Sequence, residues 1–313
     1  MSDAKRAAIS VIGSLNIDYF TKVQALPGPG ETVSSRGLEL FRGGKGANQA
    51  ISASRQGVKV YFFGCIGEDE EGIAYRKALA TEGIDVSHLN KAPTKTGAAF
   101  ITVDREGENM IVIAHGANDR LHINDIKAGR QVITASQAVL GQFETPVEAL
   151  VEAATMANKA NIPVVINPSP IKAEFPWHLI QTDYLIVNEG EAIEVLGFPP
   201  LSEDATTLRQ RMHELRVEHL IVTRGGDDTL VFTRTGDSFS IETLPVLPID
   251  TVGAGDAFAG CFTARIAGGD NLEDAIRAAN CAGALTTLGA GAQNPIPDRE
   301  KVDQHLDHLS AKS

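Results

Sequence analysis

Short runs of apolar, often β-branched residues alternate with helix-like segments along most of this chain. The runs Ile9–Gly13, Val58–Ile66 and Pro163–Asn167 are typical of buried strands. Segments with helical character, such as Glu70–Glu82 and Pro146–Lys159, lie between such runs. This alternation predicts an α/β fold with a mainly parallel central sheet and helices on both faces. Ligands of such folds bind beyond the carboxyl ends of the strands, where loops meet helix N-termini.

Two segments break the alternation. Tyr19–Phe41 has no helical pattern, and residues 97–115 contain two strand-like runs, AAFITV and NMIVIAH, joined by DREGE. The second pattern predicts a β-hairpin. We therefore expect a small β-sheet lid from about residues 18–42 and 96–116, the alternative being an edge extension of the main sheet. Because the sequence shows no linker or repeat, residues 1–313 are expected to form a single domain.

Composition excludes several kinds of partner. The chain has 313 residues and a net charge of −12 without a lysine or arginine cluster, which argues against nucleic acid. It has no apolar run of 18 residues and no signal-peptide pattern at its start, so no membrane association is expected. Cys65, Cys261 and Cys281 lack metal-ligand spacing and are expected to be small buried side chains. Together these features predict a soluble cytoplasmic protein.

The motif with the most specific chemistry is DTVGAGDAF, from Asp250 to Phe258. Gly253 and Gly255 bracket Ala254, Asp256 follows, and an apolar helix-compatible run begins. A flexible turn that opens a helix directs free N–H groups and the positive end of the helix dipole at one point, which suits an anion. A carboxylate among those donors can take a proton from an attacking hydroxyl. The motif therefore predicts phosphoryl transfer to an alcohol.

A second glycine-rich turn, FRGGKGANQA, contains Gly43, Gly44 and Gly46 and places Lys45 and Asn48 at the entrance of a helix. It is not a Walker A loop, because the lysine is not followed by Ser or Thr and the four-residue glycine spacing is absent. The turn suits a neutral polyol as well as a phosphate. A plain glycine-rich helix start is the alternative.

Polar residues also follow other predicted strands. Asn16 and Asp18 come after the first strand and could bind neighbouring sugar hydroxyls, although an Asx turn is an equally simple explanation. Glu144 follows a later strand, and Asn188 precedes a helix that contains Glu191. Glu191 could hold Mg²⁺ directly or through water, but a carboxylate at a helix start is also favourable with the helix dipole.

The run LIVTRGGDDTLVF predicts a strand that ends at Thr223, a tight turn at Gly225 and Gly226, and a returning strand. A loop rich in backbone groups at this point could line an adenine nucleotide. An ordinary hairpin is the alternative.

The pair GGKGANQA and DTVGAGDAF resembles the two signatures of the ribokinase-like (phosphofructokinase-B type) carbohydrate kinases. Shorter segments, GAN at 116–118, FETP, NPSP and GAQNP, also resemble that family, and the resemblance runs from Ile9 to about Pro297. It implies ATP-dependent phosphorylation of D-ribose at O5, with 2-deoxyribose or another sugar or nucleoside as the alternative substrate. It also implies Mg²⁺ and K⁺ as cofactors and a homodimer formed through the lid. A non-catalytic sugar sensor on this scaffold is the rival of a different class.

The resemblance also implies roles for individual residues. Asp256 matches the catalytic base, and the anion hole for the moving phosphoryl group matches the amides of Gly253, Ala254 and Gly255. The sugar-binding positions are Asn16, Asp18, Gly44, Lys45, Asn48, Glu144 and Asp256. The nucleotide-binding positions are Asn188, Thr223, Arg224, Gly225, Gly226, Asp228, Gly255 and Asn280. The K⁺ site matches Asp250, Thr251, Thr286, Gly289 and Gly291, and Mg²⁺ is tied to Glu191.

Four positions depart from the family pattern. Gly190 replaces a common threonine, so we expect a weaker helix start there. Pro295 stands where a serine often completes the cation site. Tyr19 and Phe20 are bulkier than the usual small aliphatic residues and are expected to affect the lid or the sugar pocket.

Overall fold

A computed structural model of the protein describes residues 6–201 and 204–310. The strands are β1 (Ala8–Ile12), β2 (Asn16–Lys22), β3 (Glu39–Gly43), β4 (Lys59–Gly67), β5 (Leu89–Ala92), β6 (Gly97–Val103), β7 (Asn109–Ala114), β8 (Ala138–Gln142), β9 (Val164–Asn167), β10 (Thr182–Asn188), β11 (Val217–Arg224), β12 (Asp227–Thr233) and β13 (Ser238–Ile241). The α-helices are α1 (Lys45–Arg55), α2 (Glu70–Thr81), α3 (Ile123–Ala128), α4 (Arg130–Ile133), α5 (Val147–Lys159), α6 (Glu189–Leu196), α7 (Ala205–Glu214), α8 (Ala254–Gly268), α9 (Leu272–Thr286) and α10 (Arg299–Ser310).

The main sheet has nine strands in the described part of the chain, in the order β13-β12-β11-β10-β9-β8-β1-β4-β5. The pairs from β11 across to β5 are parallel, and β12 and β13 add antiparallel strands at one edge. Successive side chains of β1 enter opposite layers, since Val11 packs into one apolar cluster and Ile12 into the other. The predicted α/β class with helices on both faces is confirmed.

A separate four-stranded sheet has the order β3-β2-β6-β7. Its β2–β3 and β6–β7 pairs are antiparallel, whereas β2 and β6 are parallel. The alternative of an edge extension of the main sheet is therefore wrong. The bulky residues of β2 are used inside this sheet: Tyr19 stacks on Phe100 with centroids 5.2 Å apart, and Phe20 meets Phe41 edge-on at 6.0 Å.

Three strands of the small sheet have one end at the same level, next to the main sheet. Asn16, the first residue of β2, is paired with Gly43 on one side and Gly97 on the other. Asn118 fixes the chain just before Asn16, because its side chain accepts from Leu15 N at 3.0 Å and donates to Leu15 O at 3.1 Å. A side chain at Gly97 would lie 2.2 Å from the Asn118 amide, so only glycine fits there. This arrangement places the start of β2 beside the carboxyl end of β1.

Some elements carried too weak a pattern to be predicted. β5 and β13 have four residues each, LNKA and SFSI, without a clear apolar alternation. The short helices α3 and α4 were also missed. The β11–β12 hairpin has the predicted turn. Among the described residues, no helix combines the length and apolar character needed to cross a membrane.

Candidate active site

Asp256 lies in the first turn of α8 and is only 7% exposed. The helix is preceded by Gly253, whose φ of 81° lies in the left-handed region that favours glycine. A side chain at Gly253 would come within 2.7 Å of the backbone oxygen of Ala292. No described side chain caps α8, and Gly253 and Gly255 at its start line an adjoining cavity.

The other glycine-rich helix start, at α1, is closed by the protein itself. Lys45 N donates to Glu144 Oε2 at 3.0 Å, and Ala47 N donates to the carbonyl oxygen of Ser14 at 2.9 Å. Ser14 Oγ also donates to Glu144. The two turns look alike in sequence, but no described side chain accepts from the first amides of α8, where Ala254 N donates to the carbonyl oxygen of Thr251 at 3.3 Å. This difference depends on Glu144, which lies about a hundred residues away in the chain.

Two amide side chains of α1 hold the Asp256 carboxylate. Asn48 Nδ2 donates to Asp256 Oδ2, and Gln49 Nε2 donates to Asp256 Oδ1, both at 2.9 Å. Gln142 orients Gln49, because Gln142 Nε2 donates to Gln49 Oε1 at 2.6 Å. Gln49 Nε2 also donates to Asn167 Oδ1 at 3.0 Å. Sequence reasoning missed Gln49, Gln142 and Asn167. The carboxylate is thus held in one orientation while its remaining lone pairs stay free to accept a proton.

Lys45 supplies a positive charge beside this carboxylate. The Asp256 carboxylate raises the pKa of Lys45 above its ordinary value, burial opposes that effect, and Glu144 and Glu191 add to it. Lys45 therefore stays cationic at neutral pH. It lines a cavity of about 240 Å³ together with Asp256, Asn188 and Glu191.

Asp18 is the second unusual carboxyl group of the site. Burial, together with the nearby Glu144 carboxylate, raises its pKa to about 7. Its carboxyl group lies directly over Gly43, where a Cβ atom would come within 2.0 Å of Asp18 Oδ2. Asn16 lies two residues earlier and accepts from Asn118 Nδ2 at 2.8 Å. The carboxyl groups of Asp18 and Glu144, predicted from separate segments to bind sugar, thus lie within electrostatic range of each other.

A second cavity, of about 390 Å³, lies beside the first. Its lining contains the predicted nucleotide residues Thr223, Gly225, Gly226, Gly255 and Asn280. Apolar residues complete the wall, namely Leu244, Pro245, Val246, Pro248 and Phe258. Thr223, Thr251 and Gly255 line both cavities, so the N-terminus of α8 lies where they meet.

Three of the predicted nucleotide residues bond other parts of the protein. Asn280 holds the cavity wall together, because it accepts from Thr229 Oγ1 at 2.6 Å and donates to Glu242 O at 3.1 Å. Arg224 forms an ion pair with Glu189 at 3.1 Å and does not line either cavity. Asp228 also lies outside both linings and accepts from Ser240.

Helix α6 begins with a complete capping box. Glu191 N donates to Asn188 Oδ1 at 2.8 Å, and Asn188 N donates to Glu191 Oε2 at 3.0 Å. The two capping bonds lie on either side of Gly190, so the glycine removes neither of them, and the expected weaker helix start stays a prediction. Both capping residues line the 240 Å³ cavity. In the described part of the chain, no group of three or more His, Cys, Asp or Glu side chains could hold a metal ion by itself.

The segments predicted to bind K⁺ meet at Asp250. Its Oδ1 accepts from Val252 N at 3.0 Å, and its Oδ2 accepts from Gly291 N at 2.9 Å. Asp250 N donates to Thr287 O at 3.1 Å, next to Thr286 at the end of α9. Pro295 packs over Gly289, where an added Cβ would lie 2.8 Å from the proline ring.

Comparison with known proteins decides the family. The sequence matches the pfkB family of carbohydrate kinases over residues 6–299. The chain belongs to this family. Its geometry agrees with that assignment, because a pfkB kinase must bring a sugar hydroxyl, a base and a nucleotide phosphate together.

Curated and solved relatives cover nearly the whole chain. A ribokinase of Haemophilus influenzae is 36% identical over 306 residues, 97% of this chain and 99% of the relative. A deoxyribokinase of Salmonella typhi is 31% identical over 301 residues, 95% of this chain and 98% of the relative. The solved Arabidopsis thaliana ribokinase complexed with ribose and ATP has a TM-score of 0.86 and 28% identity, and the match covers 96% of this chain and 99% of that one.

The raised pKa of Asp18 predicts a pH-dependent stability. In the unfolded chain this carboxyl group ionises near 3.8, but in the folded protein it ionises near 7, so stability falls as pH rises through this interval. Asp18→Asn should therefore raise the thermal unfolding temperature by at least ~2 °C at pH 8, with the difference vanishing near pH 4. Unfolding scans of the sugar-free protein measure this.

Asp119 is exposed, so Asp119→Asn is the matched control. Its unfolding temperature relative to the wild type should not change with pH in this way. An Asp18→Asn effect of the same size at pH 4 and pH 8 would contradict the prediction.

Proposed function

We propose that this protein is a ribokinase, which transfers the γ-phosphoryl group of ATP to O5 of D-ribose. One observation carries the proposal: Asp256 is buried and held by two amide donors beside an uncapped helix N-terminus, where two cavities meet. The full-length similarity to ribokinases, one of them solved with ribose and ATP, supports this sugar and this nucleotide.

Asp256 acts as the general base. As O5 of the sugar attacks the γ-phosphorus, the hydroxyl proton passes to Asp256, the bond to the β,γ-bridging oxygen breaks, and ADP leaves. A positioned base contributes ~10²–10⁴-fold. Asn48 and Gln49 each donate to one oxygen of Asp256, which holds the carboxylate in one orientation.

Backbone amides and Lys45 stabilise the charge on the moving phosphoryl group. The amides of Gly253, Ala254 and Gly255 lie at the positive end of α8, and Lys45 lines the same cavity. Preorganised donors of this kind supply a large share of the rate enhancement in phosphoryl transfer.

The sugar lies on the side of Asp18. Asp18 and Asn16 on β2, Gly44 and Asn48 at the start of α1, and Glu144 after β8 offer acceptors and donors to its hydroxyl groups. Both bonds from protein donors to Glu144 use Oε2, which leaves Oε1 to a sugar hydroxyl.

The 390 Å³ cavity takes the adenosine part of ATP, with apolar residues suited to the base. The residues of this cavity that would contact the nucleotide are Thr223, Gly225, Gly226 and Asn280. Arg224 and Asp228, which lie outside its lining, stay predicted nucleotide contacts. Mg²⁺, when bound, neutralises phosphate charge. The donor set fits an ion held mainly by phosphate and water, with Asn188 and Glu191 beside it.

We also assign K⁺ to the segments that meet at Asp250. The site would use Asp250, Thr251, Thr286, Gly289 and Gly291. Its position directly before the α8 turn would let the ion stabilise the turn that forms the anion hole.

The exposed face of the small sheet supports a homodimer. Every residue of β7 is exposed, and Met110, Ile111, Val112 and Ile113 form an apolar run with 43–58% exposure. Apolar surface of this kind on a sheet is a typical contact surface between proteins. We propose that a second copy of the chain covers it, and that the sheet is the lid. The expected cytoplasmic location remains a prediction from the cysteine usage.

A sugar panel tests the substrate. We expect kcat/KM for ribose to exceed that for 2-deoxyribose by ~10-fold or more, because a hydroxyl bonded to a carboxylate contributes about 1.5–3 kcal/mol. Fructose and adenosine should be poorer still. The experiment measures ADP release with each substrate, with and without K⁺.

A higher kcat/KM for 2-deoxyribose would favour the second candidate function, deoxyribokinase, which the similarity to the Salmonella typhi enzyme supports.

Asp256→Asn tests the base. The variant keeps the shape of the side chain but accepts no proton, so kcat should fall at least ~10²-fold while sugar and ATP binding change little. Calorimetric binding and steady-state kinetics separate the two effects, with Asp119→Asn as the control. Near-normal turnover would remove Asp256 from this role.

The dimer is tested by Val112→Lys, which places a charge on the exposed run of β7. We expect the wild type to have the mass of two chains in light scattering at micromolar concentration, and the variant to be monomeric. Leu179→Lys changes a similarly exposed apolar residue away from β7 and should remain dimeric. A monomeric wild type would contradict the proposal.

A further inference from the structure

A chain of hydrogen bonds leads from Asp256 to the backbone of the small sheet through Gln293. Gln293 Nε2 donates to Asn48 Oδ1 at 2.8 Å and to Tyr75 Oη at 2.6 Å. Tyr75 Oη donates to the carbonyl oxygen of Gly43 at 2.6 Å, and Asn48 donates to Asp256 at 2.9 Å. Neither the sequence motifs nor the family resemblance gives Gln293 or Tyr75 a role.

The direction of each bond follows from the two ends of the chain. The carbonyl oxygen of Gly43 can only accept, so Tyr75 donates its single hydroxyl hydrogen there and must accept from Gln293. Gln293 therefore directs its NH₂ group at both Tyr75 and Asn48, and the oxygen of Asn48 receives one of its hydrogens. The NH₂ group of Asn48 then faces the Asp256 carboxylate, which as an ionised group can also only accept.

The surroundings hold Gln293 in place. Tyr75 is completely buried, and burial raises the pKa of its hydroxyl group, which keeps it protonated. The backbone oxygen of Gln293 accepts from Arg55 Nη1 at 2.8 Å, and Arg55 is paired with Glu82 at 2.7 Å. The segment that carries Gln293 is thus tied to α1 and α2.

We propose that Gln293 is a positioning residue, a role that rests on the proposed function. It fixes the carboxamide of Asn48 in the orientation that donates to Asp256. The opposite orientation would place Asn48 Oδ1 against the carboxylate, which removes a donor from the ionised base and adds repulsion. Gln293 acts on the reaction through Asn48.

Gln293→Glu tests the proposal, because it keeps the side-chain shape and replaces the donor NH₂ group with an acceptor oxygen. Asn48 should then turn its own NH₂ group toward the introduced carboxylate and away from Asp256. We expect kcat to fall ~10-fold or more, the usual value of a hydrogen bond to a charged group. The acid limb of the pH–kcat profile should move to higher pH, since the base loses a donor to its ionised form.

The KM for ATP should change by less than ~3-fold, because the nucleotide cavity is not altered. The exposed Gln131→Glu introduces the same charge on α4 and should leave kcat and the pH profile unchanged. Equal kcat and pH profiles for Gln293→Glu and Gln131→Glu would overturn the proposal.

Tyr75→Phe is the second variant and carries the test if Gln293→Glu does not fold. It removes the group that sets the direction of the Gln293 amide, so kcat should fall in the same direction by a smaller factor. Where both fold, the double variant should be no slower than Gln293→Glu alone, since the two residues act through one chain of bonds. Additive losses, or a Tyr75→Phe profile identical to wild type, would argue against the role.

A crystal structure of Gln293→Glu separates this inference from the proposed function. If the wild type phosphorylates no sugar, the proposed function fails, and the structure still shows whether Asn48 has left Asp256. A retained 2.9 Å contact between them would overturn the positioning role.

Discussion

The contact between α1 and α8 is the interaction on which the rest of the site depends. The helices meet closely at Gly260, where a Cβ atom would lie 2.2 Å from the backbone oxygen of Gln49. Ser52 Oγ also bonds the backbone oxygen of Ala257 at 2.7 Å. Because the helices approach this closely, short amide side chains of α1 reach the carboxylate of Asp256. The Asp256 carboxylate is thus held in place by helix packing, and the loops around it line the two cavities.

The electrostatics of the site differ from those of a basic phosphate-binding pocket. The chain carries a net charge of −12, and the site itself brings the carboxyl groups of Glu144, Glu191 and Asp256 close to Lys45, with Asp18 close to Glu144. Such a site suits a neutral polyol, whose hydroxyl groups donate to carboxylates. Under the proposed function, the phosphate charge would be balanced by helix amides, Lys45 and a cation, which would confine phosphate binding to the N-terminus of α8.

The sequence predicted the position of candidate site residues that stand at local turns and helix starts. Asp256 and Lys45 stand at glycine-rich helix starts, and such turns are recognisable without any knowledge of tertiary contacts. Gln49 and Gln293 were missed because their contacts join positions 207 and 245 residues apart. No local pattern distinguishes a glutamine that orients a base from one that faces solvent. The strands of the main sheet were predictable from buried apolar runs, whereas short edge strands without such runs were not.

The paired residues Asn16, Gly43 and Gly97, at the end of the small sheet next to the main sheet, affect how a ligand can bind. Asn16 is held to the body of the protein by Asn118, whereas Asp18 lies two residues farther into the sheet. Glycines at positions 43 and 97 flank Asn16 on both sides, so this end of the small sheet has few bulky side chains. Under the proposed function, the position of Asn16 relative to the other sugar-binding residues is set by its bond to Asn118, and that of Asp18 by the orientation of the small sheet. A sugar that bonds both residues would favour one orientation of the sheet by its difference in affinity, which would couple sugar recognition to that orientation.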